Sequence, residues 1–190
     1  MSETTTVKLM TSDDLFALPF SKKVDRWLFR GELRESKATK RNPNHAGAVS
    51  TVTALLFIWL KTQPKPRGKV YGGEAYFRIR QDPETNVGID VVIATADQRA
   101  TVKKKTTFVD GPPLLAVEVL SPNDKHREVA EAIEEYLDCG VKQVWIVDYY
   151  TETVVVHRAG HELVQYTSSQ TLVGGDDLPG FTCSVAEIFE

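Results

Sequence analysis

The chain has 190 residues, 42% of them hydrophobic, with a formal net charge of −3. That length supports one domain with a core of its own, and two cysteines outside any CxxC or nucleophile-like setting argue against a disulfide framework or a zinc site. The longest apolar run, residues 54–60, is too short to span a bilayer, and residues 1–15 lack the basic and apolar regions of a secretory signal, so a cytoplasmic protein with no membrane partner is expected.

The small net charge hides a division along the chain. Residues 1–105 hold 19 basic and 11 acidic side chains, a net of +8, whereas residues 106–190 hold 4 and 15, a net of −11. Residues 22–41, KKVDRWLFRGELRESKATKR, contribute eight of the basic residues against three acidic ones. Lys and Arg gathered on one surface attract phosphates at long range. The alternative is that the two halves neutralise each other within the fold or across a dimer interface.

In chain order, residues 1–24 read as an N-terminal arm with one short helix from Ser12 or Asp13 to Ala17, capped by Thr11 or Ser12, and residues 25–190 as a single domain. Residues 25–36 make a hairpin turning at Gly31. After a break at Asn42-Pro43-Asn44, Asn44 is the expected cap of a helix over 45–62. Its apolar stripe, Val49, Val52, Leu56, Trp59 and Leu60, is widened by Leu55, Phe57 and Ile58, which predicts burial on more than one side, a second subunit included.

Strand-like segments follow at 69–80, 87–95 and 114–121. A second helix begins after Ser121-Pro122, with Ser121 as cap, and ends at Gly140. Its inward stripe is Val129, Ala132, Ile133, Tyr136 and Leu137. Further strands are expected at 142–148, 153–158 and 163–167, and a short helix over 184–189. The order is helix, three strands, helix, strand, then added antiparallel strands, a mixed α/β (α+β) fold and not a Rossmann fold.

Two acids stand inside apolar runs: Asp90 in VGIDVVIAT and Glu118 in LLAVEVLS. A carboxylate in such a place is costly unless it is paired, hydrogen-bonded or bound to a cation. If the two strands pair antiparallel, Asp90 near the start of one meets Glu118 near the end of the other, and opposed positions bring Cβ atoms within roughly 4.5–5.5 Å. Hard oxygen ligands of this kind suit Mg²⁺ or Mn²⁺ better than zinc. The structural alternative is that each acid is the partner of an arginine, Arg78 and Arg80 being nearest in sequence.

The element order, with an Asp on the second strand and a Glu on the third, resembles the core of the PD-(D/E)XK nuclease superfamily. The strings IDVVIA, LLAVEVLSPNDKHRE, EEYLDCGVKQVWIVD and DDLPGFTCSVAEIF resemble the Uma-two type restriction endonuclease family, as does RWLFRGELRE followed by PNH at the head of a long helix. The likeness runs from about Asp25 to Phe189. It implies a restriction-endonuclease-like fold and Mg²⁺- (or Mn²⁺-) dependent cleavage of DNA, with Asp90, Glu118 and the Val119 carbonyl as metal ligands.

The lysine that such enzymes use to hold or deprotonate the attacking water is absent two residues after the Glu, where Leu120 stands. The family position on the following helix falls on Ala132, which cannot do that work. Lys125 is the expected substitute, ahead of His126 and Arg127. His45 matches a family motif position and is either a phosphate or metal contact or a helix-cap residue. Glu32 is either an accessory ligand or a surface ion-pair partner. A homodimer is expected, since cutting both strands of a duplex needs two sites. The alternative to an active nuclease is a catalytically lapsed DNA-binding or structural dimer of the same fold.

Overall fold

The computed structural model describes residues 9–37, 42–122 and 124–190. Residues 1–8 of the arm, and Lys40 and Arg41 of the basic segment, lie outside the described residues.

Helix α1 (Ser12–Ala17) starts at a capping box in which Thr11 and Asp14 satisfy each other's backbone amides. The Ser12 amide and hydroxyl both donate to the Glu84 carboxylate, and Leu15 is buried, which seats the arm on the sheet. Strands β1 (Val24–Phe29) and β2 (Glu32–Lys37) form the expected hairpin. Its two turn residues, Arg30 and Gly31, have φ of 51° and 77°, the combination that fits the twist of the strands. A Cβ at position 31 would come within 2.9 Å of the Leu9 side chain, so glycine is required there on two counts.

Helix α2 (Pro43–Thr62) begins two residues earlier than its sequence pattern predicts. Asn42, not Asn44, is the cap: its side chain accepts the His45 amide at 2.8 Å. Pro43 takes the first helical position, where its missing N–H costs nothing.

Strands β3 (Lys69–Gln81) and β4 (Glu84–Ala94) pair antiparallel along most of their length. A short helix α3 (Ala96–Thr101) and a two-residue strand β5 (Val109–Asp110), parallel to β3, lead into β6 (Leu115–Val119). Helix α4 (His126–Asp138) then crosses to β7 (Gln143–Asp148), parallel to β6, and β8 (Thr153–His157) and β9 (Val164–Thr167) extend the sheet antiparallel. A separate pair, β10 (Thr171–Val173) with β11 (Thr182–Ser184), precedes a closing 3₁₀ turn, Ala186–Ile188.

Helix α4 starts four residues beyond the Ser121-Pro122 cap that the sequence suggests. The Ser121 amide instead donates to Asp124 at 2.7 Å, so these residues form a turn leaving β6, and Lys125 is the N-cap residue. Gly140, with φ of 101°, ends the helix region as expected.

The two long helices cover opposite faces of the sheet. Ala48, Val52 and Leu56 of α2 pack with Val91, Leu115, Val117 and Trp145, while Tyr136 of α4 packs with Val92, Ala116, Val144 and Ile146. Successive strand residues therefore serve alternate cores, which is why β6 and β7 read as continuous apolar runs. One irregularity positions everything that follows. One edge of β4 pairs with β3, but its other edge is shared: Asn86 pairs with Leu28 of β1, and Val91 to Ile93 pair with β6. Between these two partners the sheet forks, and Asp90 lies in the fork.

Candidate active site

Along the β4–β6 ladder Val91 faces Val117, so the next step places Asp90 opposite Glu118, as the antiparallel expectation requires. Asp90 is 7% exposed, and its Oδ2 accepts the Val119 amide at 2.9 Å. His45 Nε2, from the first turn of α2, stands 3.3 Å from the same oxygen. His45 is 3% exposed, and Nε2 makes no formed hydrogen bond, so this is an approach without the geometry of a bond. The cap itself uses only the His45 backbone, which leaves the ring aimed at Asp90.

Glu118 accepts a 2.7 Å hydrogen bond from the Tyr136 hydroxyl. Burial, then the neighbouring Asp90 charge, push the Glu118 carboxyl up to about 8, against a smaller opposing effect of the Tyr136 bond. Tyr136 is raised well above the ordinary phenol range, first by burial and then by Glu118. The arginines offered as structural partners are committed elsewhere. Arg78 pairs with Asp110 and Glu84, and Arg80 with Glu135. Among the described residues no arginine pairs with Asp90 or Glu118.

The pair opens into a cleft of about 1250 Å³, larger than the roughly 300–1,000 Å³ of small-molecule sites. The β1–β2 hairpin forms one wall and α4 the other, with the ends of β4 and β6 as floor. Lys125 lines it, its ammonium 2.8 Å from Glu128 and its side chain 74% exposed. Ala132 lines it too, half-buried on α4, as does Val119. Glu32 does not: it is exposed at the start of β2, opposite Phe29.

Sequence reasoning placed Tyr136 in the core, which it occupies, but missed that its hydroxyl reaches Glu118. The signal was its place eighteen residues after the strand acid, on the inward stripe of the crossover helix. Also missed was Glu135. It is fully buried and receives Arg30 at 2.8 Å, Arg80 at 2.7 and 3.1 Å, and the Thr85 hydroxyl at 2.6 Å. Burial raises its carboxyl, but these donors together outweigh it and hold the group at about 2.

Among the described residues no group of three His, Cys, Asp or Glu side chains is placed to hold a metal ion. What the site offers is two carboxylates whose mutual repulsion shows in Glu118, together with backbone oxygen. That donor set fits a hard cation completing its shell with water, and does not fit zinc. No described helix is long and apolar enough to cross a membrane.

A family model described as "Putative restriction endonuclease", Uma2, matches residues 12–186. No curated protein matches. Among solved structures, a putative nuclease belonging to DUF820 from Anabaena variabilis ATCC 29413 superposes with a TM-score of 0.74 at 15% identity, covering 93% of this chain and 96% of that one. At that identity the likeness speaks for the fold, and it agrees with the restriction-endonuclease-like core expected from the element order. With the family model spanning nearly the whole chain, the protein belongs to the Uma2 family of restriction-endonuclease-like proteins.

Proposed function

We propose that this protein is a Mg²⁺- or Mn²⁺-dependent DNA endonuclease of the cytoplasm, with Asp90, Glu118 and the Val119 carbonyl holding the cation. The observation that carries this is the Asp90–Glu118 pair, with no described arginine or lysine paired to it, in a cleft with basic residues on both walls. A divalent cation bound there supplies charge neutralisation at the phosphate and acidifies water. The chain's own residues do the rest. The Val119 amide fixes the orientation of Asp90, and the Tyr136 hydroxyl fixes that of Glu118. Arg26, Arg34 and Arg127 hold the phosphodiester backbone, and Lys125, once released from Glu128, serves the attacking water. His45 is an accessory group behind Asp90.

The functional unit we propose is a homodimer, supported by the exposed apolar side chains Phe57 and Ile58 on α2. A second reading is that chemistry has lapsed while the fold and the acid pair persist. Its support is Ala132, which lines the cleft at the family's lysine position and carries no charge. The experiment is incubation of the full chain with supercoiled plasmid in Mg²⁺ or Mn²⁺, beside Asp90→Ala and Glu118→Ala. Metal-dependent nicking lost in both variants supports the nuclease. Folded protein that cuts with neither metal supports the lapsed reading.

A further inference from the structure

Helix α4 carries a strong apolar stripe, yet Glu135 and Tyr136 are its only buried residues. Val129, Ala132 and Ile133 remain half-buried and line the cleft. Across from them on β1 stands Trp27, also half-buried, whereas the other two tryptophans, Trp59 and Trp145, are 9% and 1% exposed and belong to the core. Trp27, Val129, Ala132 and Ile133 all pack part of their surface on the core around Tyr136 and Ile146, and turn the rest toward the cleft that holds the two carboxylates. Core packing accounts for the buried part of these side chains, and phosphate-binding makes no use of the part that faces the cleft, because a duplex presents charge and groove edges to a protein and keeps its base faces stacked.

The walls also touch. Arg34 of β2 reaches Glu131 of α4 at 2.9 Å, and Arg30 in the hairpin turn reaches Glu135 at 2.8 Å. Arg34 and Glu131 both line the cleft, so their bridge narrows it against a duplex more than against one strand with splayed bases, while the Arg30–Glu135 bridge lies outside the lining and ties the hairpin to α4. Base faces stack on aromatic side chains whatever the sequence, and a basic rim follows the backbone.

From this we infer that the cleft takes single-stranded DNA, with a base stacked between Trp27 and the open face of α4 beside the acid pair. The inference deepens the nuclease reading and rests on it. It places the preferred substrate among single strands, flaps or melted segments, at the cost of affinity for intact duplex.

The test is fluorescence anisotropy of the full chain, in EDTA so that no strand is cut, with labelled dT12, the dT12–dA12 duplex and rU12. Single-stranded DNA is expected to bind at least about tenfold more tightly than duplex, with Trp27→Ala losing about tenfold for the strand and Trp27→Phe retaining most of it. Val129→Glu probes the opposite wall should Trp27→Ala fail to fold, and it is expected to weaken strand binding in the same way. Duplex binding as tight as single-strand binding overturns this inference and leaves the DNA nuclease standing. Tighter binding of rU12, or strand affinity unchanged in Trp27→Ala and Val129→Glu, also overturns it. Binding of none of the three overturns this inference, and the nuclease reading is then decided by the plasmid assay with metal.

Discussion

The Tyr136 hydroxyl donates to Glu118 Oε1 at 2.7 Å, tying the crossover helix to the third strand of the core at the acid that Asp90 repels. This bond favours the ionised carboxylate. Tyr136→Phe removes the donor and keeps the ring, so Glu118 holds its proton to still higher pH. We expect weaker divalent-metal binding at pH 7, with the deficit shrinking toward pH 9, measured by Mn²⁺ titration at both values.

Glu118 contributes a pH dependence to the stability of the metal-free protein. Its folded carboxyl titrates near 8 and its unfolded one near 4.5, so between those values the native state holds a proton that the unfolded state has lost. Stability from this group is therefore full below about pH 4.5 and is lost as pH rises through about 8. Thermal melts in EDTA should show Tm falling from pH 6 to pH 8.5, and Glu118→Gln should flatten that slope. A divalent cation should displace the proton, so its binding tightens with pH over the same window.

Glu135 has the opposite sign. Held at about 2 by Arg80, Thr85 and Arg30, it contributes stability above the ordinary carboxylate pKa that is lost as pH falls through 2. Glu135→Ala removes the partner of Arg80 and the nearer partner of Arg30, which keeps Asp138 at 3.8 Å; with both arginines partly in solvent, it should cost about 1–3 kcal/mol in urea unfolding at pH 7. Because Arg30 sits in the hairpin turn, the same variant should loosen the wall that carries Trp27.

The general base divides the two readings of the chemistry. If Lys125 serves the water, Lys125→Ala should lower plasmid nicking by roughly 10²-fold or more. Ala132→Lys, at the half-buried family position, should then raise or restore the rate. Initial rates for the two single variants and the double variant decide this.

Much of this was legible in the sequence, and the exceptions have physical causes. The strands β4, β6 and β7 and their acids stand out because buried strands are apolar throughout, so Asp90 and Glu118 are conspicuous. Helix starts were less legible. Asn42 and Asn44 are equivalent caps until Pro43 decides between them, and Ser121-Pro122 imitates a helix start that Asp124 diverts into a turn. The Glu135 network joins residues 30, 80, 85 and 135, whose meeting depends on tertiary packing and leaves no local pattern. The fork in β4 was likewise invisible, since it arises from two strands far apart in the chain sharing one edge.

The central claim is that Asp90 and Glu118 together hold one divalent cation. Electron paramagnetic resonance of free Mn²⁺ during titration of the full chain at pH 8 tests it without relying on turnover. One saturable ion per chain, lost in both Asp90→Ala and Glu118→Ala while the variants remain folded, is the predicted result. Absence of saturable binding, or binding that survives either substitution unchanged, would contradict it.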